Sequence, residues 1–133
     1  MCAKRRGAAL SENISVCVVD DDESIRLSVG ALIRSLGYAS HAFPSAEAFL
    51  NSPEGAVADC LITDVQMPGL SGIDLQKALV ARGDAPPVIF ITAFPQERVR
   101  RQAMEGGALT FLSKPCDGDL LVRSIEEALS ARA

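Results

Sequence analysis

Five short runs of apolar and β-branched residues, Ile14 to Val19, Tyr38 to Phe43, Asp59 to Asp64, Val88 to Thr92 and Ala108 to Ser113, alternate with segments whose apolar residues recur at helical spacing. That alternation constrains the fold most. A continuous apolar run of strand length fits a strand buried on both faces, which needs helices to cover it. Ile25, Val29, Leu32, Ile33 and Leu36 form the first helical stripe, and Gly37 supplies the stop. Ser45 caps a short helix carrying Ala46, Ala48, Phe49 and Leu50, which Asn51-Ser52-Pro53 breaks. Ile73, Leu75, Leu79 and Val80 stripe the next helix, before a turn around Gly83 to Pro87. Pro95 to Met104 reads as a helix with proline in its first turn and a thin stripe, chiefly Val99 and Ala103, ended by Gly106-Gly107. Leu121, Ile125, Ala128 and Leu129 stripe the last helix. Five strands alternating with five helices predict an α/β fold, a parallel doubly wound sheet with helices on both faces.

A chain of 133 residues is expected to form one domain with a single substantial core. With 48% hydrophobic and 23% charged residues it is globular rather than disordered. A net charge of -4 argues against nonspecific nucleic-acid binding, which favours a basic face. Residues 1–13 carry Lys4, Arg5 and Arg6 with no apolar core of signal-peptide length after them, so they read as a flexible tail before a domain over 14–131. No apolar stretch approaches the roughly 20 residues that cross a bilayer, and a cytoplasmic location is expected. Cys2, Cys17, Cys60 and Cys116 form no C-x-x-C pair, which counts against a zinc module or a disulfide scaffold. Cys17 and Cys60 read as small buried hydrophobes, and Cys116, after Lys114-Pro115, as a partly exposed thiol.

Reactive groups stand at four strand ends: Asp20 and Asp21 after the first, Asp64 after the third, Thr92 after the fourth and Lys114 after the fifth. Right-handed crossovers bring these ends to one edge of the sheet, where ligands of open α/β sheets collect. An Asp-Asp pair alone is weak, since acids also cap helices, and Asp22 reads as a cap of the first helix. Taken together, the residues make a phosphoryl acceptor site. Hard oxygen ligands suit Mg²⁺, Asp64 is placed to be both ligand and nucleophile, Lys114 adds a cation, and Thr92 offers a hydroxyl to a phosphoryl oxygen.

The segments Val18-Val19-Asp20-Asp21, Leu61-Ile62-Thr63-Asp64-Val65-Gln66-Met67-Pro68-Gly69-Leu70-Ser71-Gly72, Ile91-Thr92-Ala93 and Phe111-Leu112-Ser113-Lys114-Pro115 closely resemble the response-regulator receiver domain, the CheY-like module of two-component signalling. The resemblance runs from about Ile14 to Leu129. Pro44-Ser45-Ala46-Glu47-Ala48-Phe49-Leu50 further resembles the FixJ-type receivers. The resemblance implies a sheet order of 2-1-3-4-5 and a cis bond between Lys114 and Pro115. It implies phosphorylation of Asp64 by a histidine kinase, with Mg²⁺ held by Asp20, Asp21, Asp64 and the backbone carbonyl of Gln66. It makes Thr92 and Phe111 the switch pair, the aromatic ring turning inward as Thr92 moves, although Phe111 also reads as an ordinary core residue. The resemblance further implies that Gln66 and Phe94 occupy positions that influence phosphoryl lifetime.

The resemblance implies a signalling domain that catalyses its own phosphorylation and dephosphorylation only. The new charge is expected to switch the surface of the fourth helix and fifth strand toward a homodimer or a downstream protein, with no membrane and no nucleic acid bound directly. Arg98, Arg100 and Arg101 on that helix read either as a solvated face or as the partner surface. A docking module that is never phosphorylated is the alternative binding class, and the complete acceptor set counts against it. A phosphohydrolase with an aspartyl intermediate is the enzymatic one, and Gln66 stands where its general acid would be. His41 reads as a sheet-edge residue. The chain is either a stand-alone receiver or the first domain of a longer regulator.

Overall fold

The computed structural model describes residues 14–83, 85–115 and 117–132, the last two as backbone only. The expected tail and Cys116 lie outside these. The strands are β1 (Ser15–Val19), β2 (Ala39–Phe43), β3 (Cys60–Asp64), β4 (Val88–Thr92) and β5 (Thr110–Ser113). They form one parallel sheet in the order β2-β1-β3-β4-β5. The helices are α1 (Glu23–Ser35), α2 (Ala46–Leu50), α3 (Pro53–Ala56), α4 (Gly72–Arg82), α5 (Glu97–Glu105) and α6 (Gly118–Arg132). No described helix is long and apolar enough to cross a membrane.

The continuous apolar runs became the strands that need cover on both sides: every residue of β1, β3 and β4 is buried. Because side chains alternate across a strand, the sheet divides the core in two. Cys17, Val19, Leu61 and Phe90 face Phe49, Leu75 and Leu79 on one side. Val16, Val18, Ile62, Ile89 and Ile91 face Ile33, Leu121 and Ile125 on the other. β2 is an edge strand with half-exposed residues, His41 among them. Cys17 and Cys60 are buried, and burial pushes the Cys17 thiol up to about 12, leaving it protonated and inert in the folded chain.

Local signals set most helix ends. The Asp22 carboxylate accepts from Ser24 N at 2.9 Å and caps α1, and Gly37 follows that helix at φ 91°, a conformation that suits glycine. Ser45 caps α2, its hydroxyl accepting from Ala48 N at 3.1 Å. Ser71 and Asp74 exchange hydrogen bonds in a capping box that starts α4.

Three features differ from the sequence reading. The described residues form six helices rather than five, because the break at Asn51-Ser52-Pro53 also starts a helix. Pro53 cannot continue α2 but suits a first helical position, and the Ser52 hydroxyl accepts from Gly55 N at 2.9 Å. The helix expected from Pro95 begins at Glu97, with Gln96 at its cap making no side-chain bond, so Pro95 precedes the helix. On α4, Val80 is 55% exposed while Gln76 is 3% exposed. Gln76 falls one turn after Ile73 on the inward face and satisfies its amide by donating Nε2 to the Ala103 carbonyl at 2.9 Å.

The link between β3 and α4 carries the tightest backbone approach near the strand ends. Gly72 N donates to Val65 O at 2.8 Å, and a Cβ at Gly72 would collide with the Asp64 carbonyl oxygen. Gly72→Ala is therefore expected to cost about 1–3 kcal/mol, read as a lower urea midpoint at unchanged m-value.

Candidate functional site

The strand order turns back beside β1, so the carboxyl ends of β1 and β3 border the crevice where open α/β sheets bind ligands. Asp20 follows the last residue of β1 and is fully buried, with its N–H donating to Phe43 O at 3.1 Å. Asp64 and Thr92 are the last residues of β3 and β4, 7% and 1% exposed. Lys114 follows β5, and its N–H donates to Thr92 O at 2.8 Å. The Lys114–Pro115 bond is cis, as the resemblance implies.

These side chains meet around one ammonium. Lys114 Nζ lies 2.9 Å from Asp20 Oδ2 and 3.3 Å from Asp64 Oδ2. The other carboxylate oxygens turn to backbone amides: Asp20 Oδ1 accepts from Asp22 N at 2.9 Å, and Asp64 Oδ1 from Val65 N at 2.7 Å. Each buried acid is thus oriented at one oxygen and faces the cation with the other. Burial pushes the Asp64 carboxyl above its ordinary range; the Lys114 charge opposes this and Asp20 adds to it. Burial pulls the Lys114 ammonium down, but its hydrogen bond to Asp20 and the charge of Asp64 carry it above its usual value. Asp22 is held low by its hydrogen bonds with Ser24, as suits a cap.

Asp20, Asp21 and Asp64 each offer a carboxylate oxygen, all within 4.8 Å of one another. Three hard oxygen donors on a cleft of about 280 Å³ fit a small divalent cation. Gln66 and Phe94 also line the cleft, with Phe94 67% exposed. Thr92 Oγ1 accepts from Phe94 N at 3.1 Å, leaving its own proton to donate. Of the sequence candidates, Asp20, Asp21, Asp64, Gln66, Thr92 and Lys114 come together on this cleft. Phe111 does not: its half-buried ring lies 6.2 Å from that of Phe90, and it borders a separate groove with Pro95, Glu97 and Arg100.

Two supporting residues escaped the sequence reading. Arg26 Nη1 donates to the Asp20 carbonyl at 2.8 Å, tying α1 to the end of β1. The Glu47 carboxylate accepts from Leu70 N at 3.2 Å, fastening α2 to the loop after Asp64. Neither interrupts a periodic pattern, and both act on backbone atoms outside their own helix, so spacing carries no sign of them.

Residues 16–126 match the family described as the response regulator receiver domain. The transcriptional regulatory protein FixJ of Azorhizobium caulinodans is 37% identical over 124 residues, covering 93% of this chain and 59% of the relative. Nodulation protein W of Bradyrhizobium diazoefficiens is 46% identical over 100 residues, covering 75% and 44%. Among solved structures, FixJ-N has a TM-score of 0.78 at 31% identity, with 88% of this chain and 94% of that one covered. The response regulator StyR has a TM-score of 0.82 at 40% identity, with 89% and 60% covered. The chain spans 59%, 52% and 53% of the lengths of FixJ, TmoT and TodT. With the sheet order, the strand-end cluster and these likenesses in agreement, the chain belongs to the response regulator receiver family of two-component systems.

Proposed function

We propose that a histidine kinase phosphorylates this chain on Asp64, and that the phosphoryl group switches the surface of α5 and β5. The observation that carries this reading is the pair of buried carboxylates, Asp20 and Asp64, sharing the Lys114 ammonium beside Thr92. Asp64 Oδ2 attacks phosphorus, a P–O bond forms as the P–N bond of the kinase phosphohistidine breaks, and the imidazole leaves with the electron pair. Asp64 Oδ1, held by Val65 N, keeps the attacking oxygen aimed. Lys114 remains beside the new phosphoryl group and balances its charge. Asp20, Asp21, Asp64 and the Gln66 carbonyl would hold Mg²⁺, which when bound neutralises charge on the transferring group.

Thr92 links this chemistry to the surface. Its hydroxyl donates to a phosphoryl oxygen, and as Thr92 shifts toward that group it pulls on the Phe94 amide it accepts from, which leads directly into α5. Phe111 turns into the space that Thr92 leaves. The outcome is a changed α5 and β5 face, whose groove Arg100 lines with Phe111, and this face docks a second copy or a downstream protein. The domain itself binds neither nucleic acid nor membrane and works in the cytoplasm.

Acetyl phosphate with Mg²⁺ is expected to label Asp64, seen by intact mass, and Asp64→Asn to abolish the label. Persistence of the label at that site in the variant would sink the assignment. Thermal unfolding of the unphosphorylated protein tests the metal site. At about a hundredfold excess over Kd, Mg²⁺ adds about 2.7 kcal/mol of stability, and Asp21→Asn moves that response to higher Mg²⁺.

The same Asp64→Asn variant has a pH signature without metal. The folded-state pKa of Asp64 is raised, so its ionised form opposes folding above that value, and the penalty disappears as pH falls through it toward the unfolded value of about 3.9. Asp64→Asn should therefore raise the urea midpoint at pH 7, with the gain fading at acidic pH. Equal midpoints for the two proteins at pH 7 would contradict this.

A further inference from the structure

The two ends of α5 are held in different ways. At the N-terminal end Pro95 has no N–H, Gln96 makes no side-chain cap, and Phe94 and Glu97 are exposed. This end hangs from the backbone after Thr92. At the C-terminal end the carbonyl of Ala103, itself fully buried, accepts from Gln76 Nε2 at 2.9 Å and from Ala108 N at 3.1 Å. Gly106 presses on the same amide: an added Cβ would lie 2.6 Å from Gln76 Oε1 and 2.9 Å from its Cδ. A hydrogen bond and a glycine-dependent close approach thus converge independently on one buried side chain.

A buried amide at an otherwise apolar position of α4 is costly unless its partner stays in place. Val99 and Ala103 alone give α5 little apolar grip on the sheet, so its footing on α4 depends on this contact. We propose that Gln76 is the pivot of the output switch, pinning the last turn of α5 to α4 while the first turn swings with Thr92 and Phe94. The inference rests on the phosphorylation reading above and adds a positioning residue outside the acceptor cleft. Movement is greatest at Glu97 to Arg100 and least at Ala103 to Ala108, and the anchor makes the helix swing instead of detaching.

The test compares the full chain with Gln76→Leu, which keeps volume and removes the donor, and with Gly106→Ala, which forces the amide aside. Backbone NMR is recorded with and without acetyl phosphate and Mg²⁺, together with amide hydrogen exchange. In the unvaried protein, phosphorylation shifts the amides of Glu97 to Arg100 and spares those of Gly106 to Ala108. In Gln76→Leu the Ala108 and Gly106 amides exchange about tenfold faster, the factor a lost buried hydrogen bond corresponds to, and the shifts spread along the whole helix. The Asp64 labelling rate stays within about twofold, since distant sites act independently. A merely structural role would lower the unfolding midpoint without redistributing the shifts. Unchanged exchange at Ala108 in both variants, or an unchanged gradient along α5, overturns the proposal. If Gln76→Leu fails to fold, Gly106→Ala decides it. If the unvaried chain takes no phosphoryl group, the phosphorylation reading falls and exchange at Ala108 still decides the anchor.

Discussion

Two carboxylates, Asp20 and Asp64, are buried at the ends of adjacent strands, and a single ammonium makes that arrangement tenable. Lys114 Nζ reaches both at 2.9 Å and 3.3 Å. Burying an unpaired charge is expensive, and breaking such a pair leaves the remaining charge uncompensated. The position of β5 beside β4, and of Lys114 at its end, is therefore tied to the acids of β1 and β3. The bond from Lys114 N to Thr92 O holds the third functional strand in the same frame. The site and the sheet edge are one construction.

That construction is stiff along the buried strands and looser in the segment that follows β4. β1, β3 and β4 are buried along their whole length, so the groups at their ends have little freedom. The segment after β4 differs: Ala93, Phe94, Pro95 and Gln96 are all exposed, and α5 lies on the sheet through Val99 and Ala103. A helix with so little buried area is easily displaced. Its footing comes from a polar contact, Gln76 to the Ala103 carbonyl, which is directional and so favours one arrangement over a continuum.

Residue patterns made the alternating fold and the strand-end set legible, because both depend on local periodicity and on where apolar runs stop. Asp20, Asp64, Thr92 and Lys114 could each be picked out as a polar group ending a buried strand. Gln76 could not. Its polarity masks an inward position, and Val80 looks like a stripe residue yet faces solvent at 55% exposure. Pro95 carried a signal for a first helical turn, but the helix waits until Glu97. The break at Asn51-Ser52-Pro53 was read as an end alone, although its serine and proline also begin α3.

The sequence by itself determined the strand and helix segments, most of their caps and the chemical character of the cleft, since these follow from spacing, cap chemistry and the residue type at each strand end. Only the tertiary structure decided which carboxylate oxygens face Lys114 and that Phe111 sits apart from the cleft. It also decided that Arg26, Glu47 and Gln76 act as ties between elements. The reason is physical: each tie ends on a backbone atom outside its own helix, and a backbone atom has no residue type for a sequence to display.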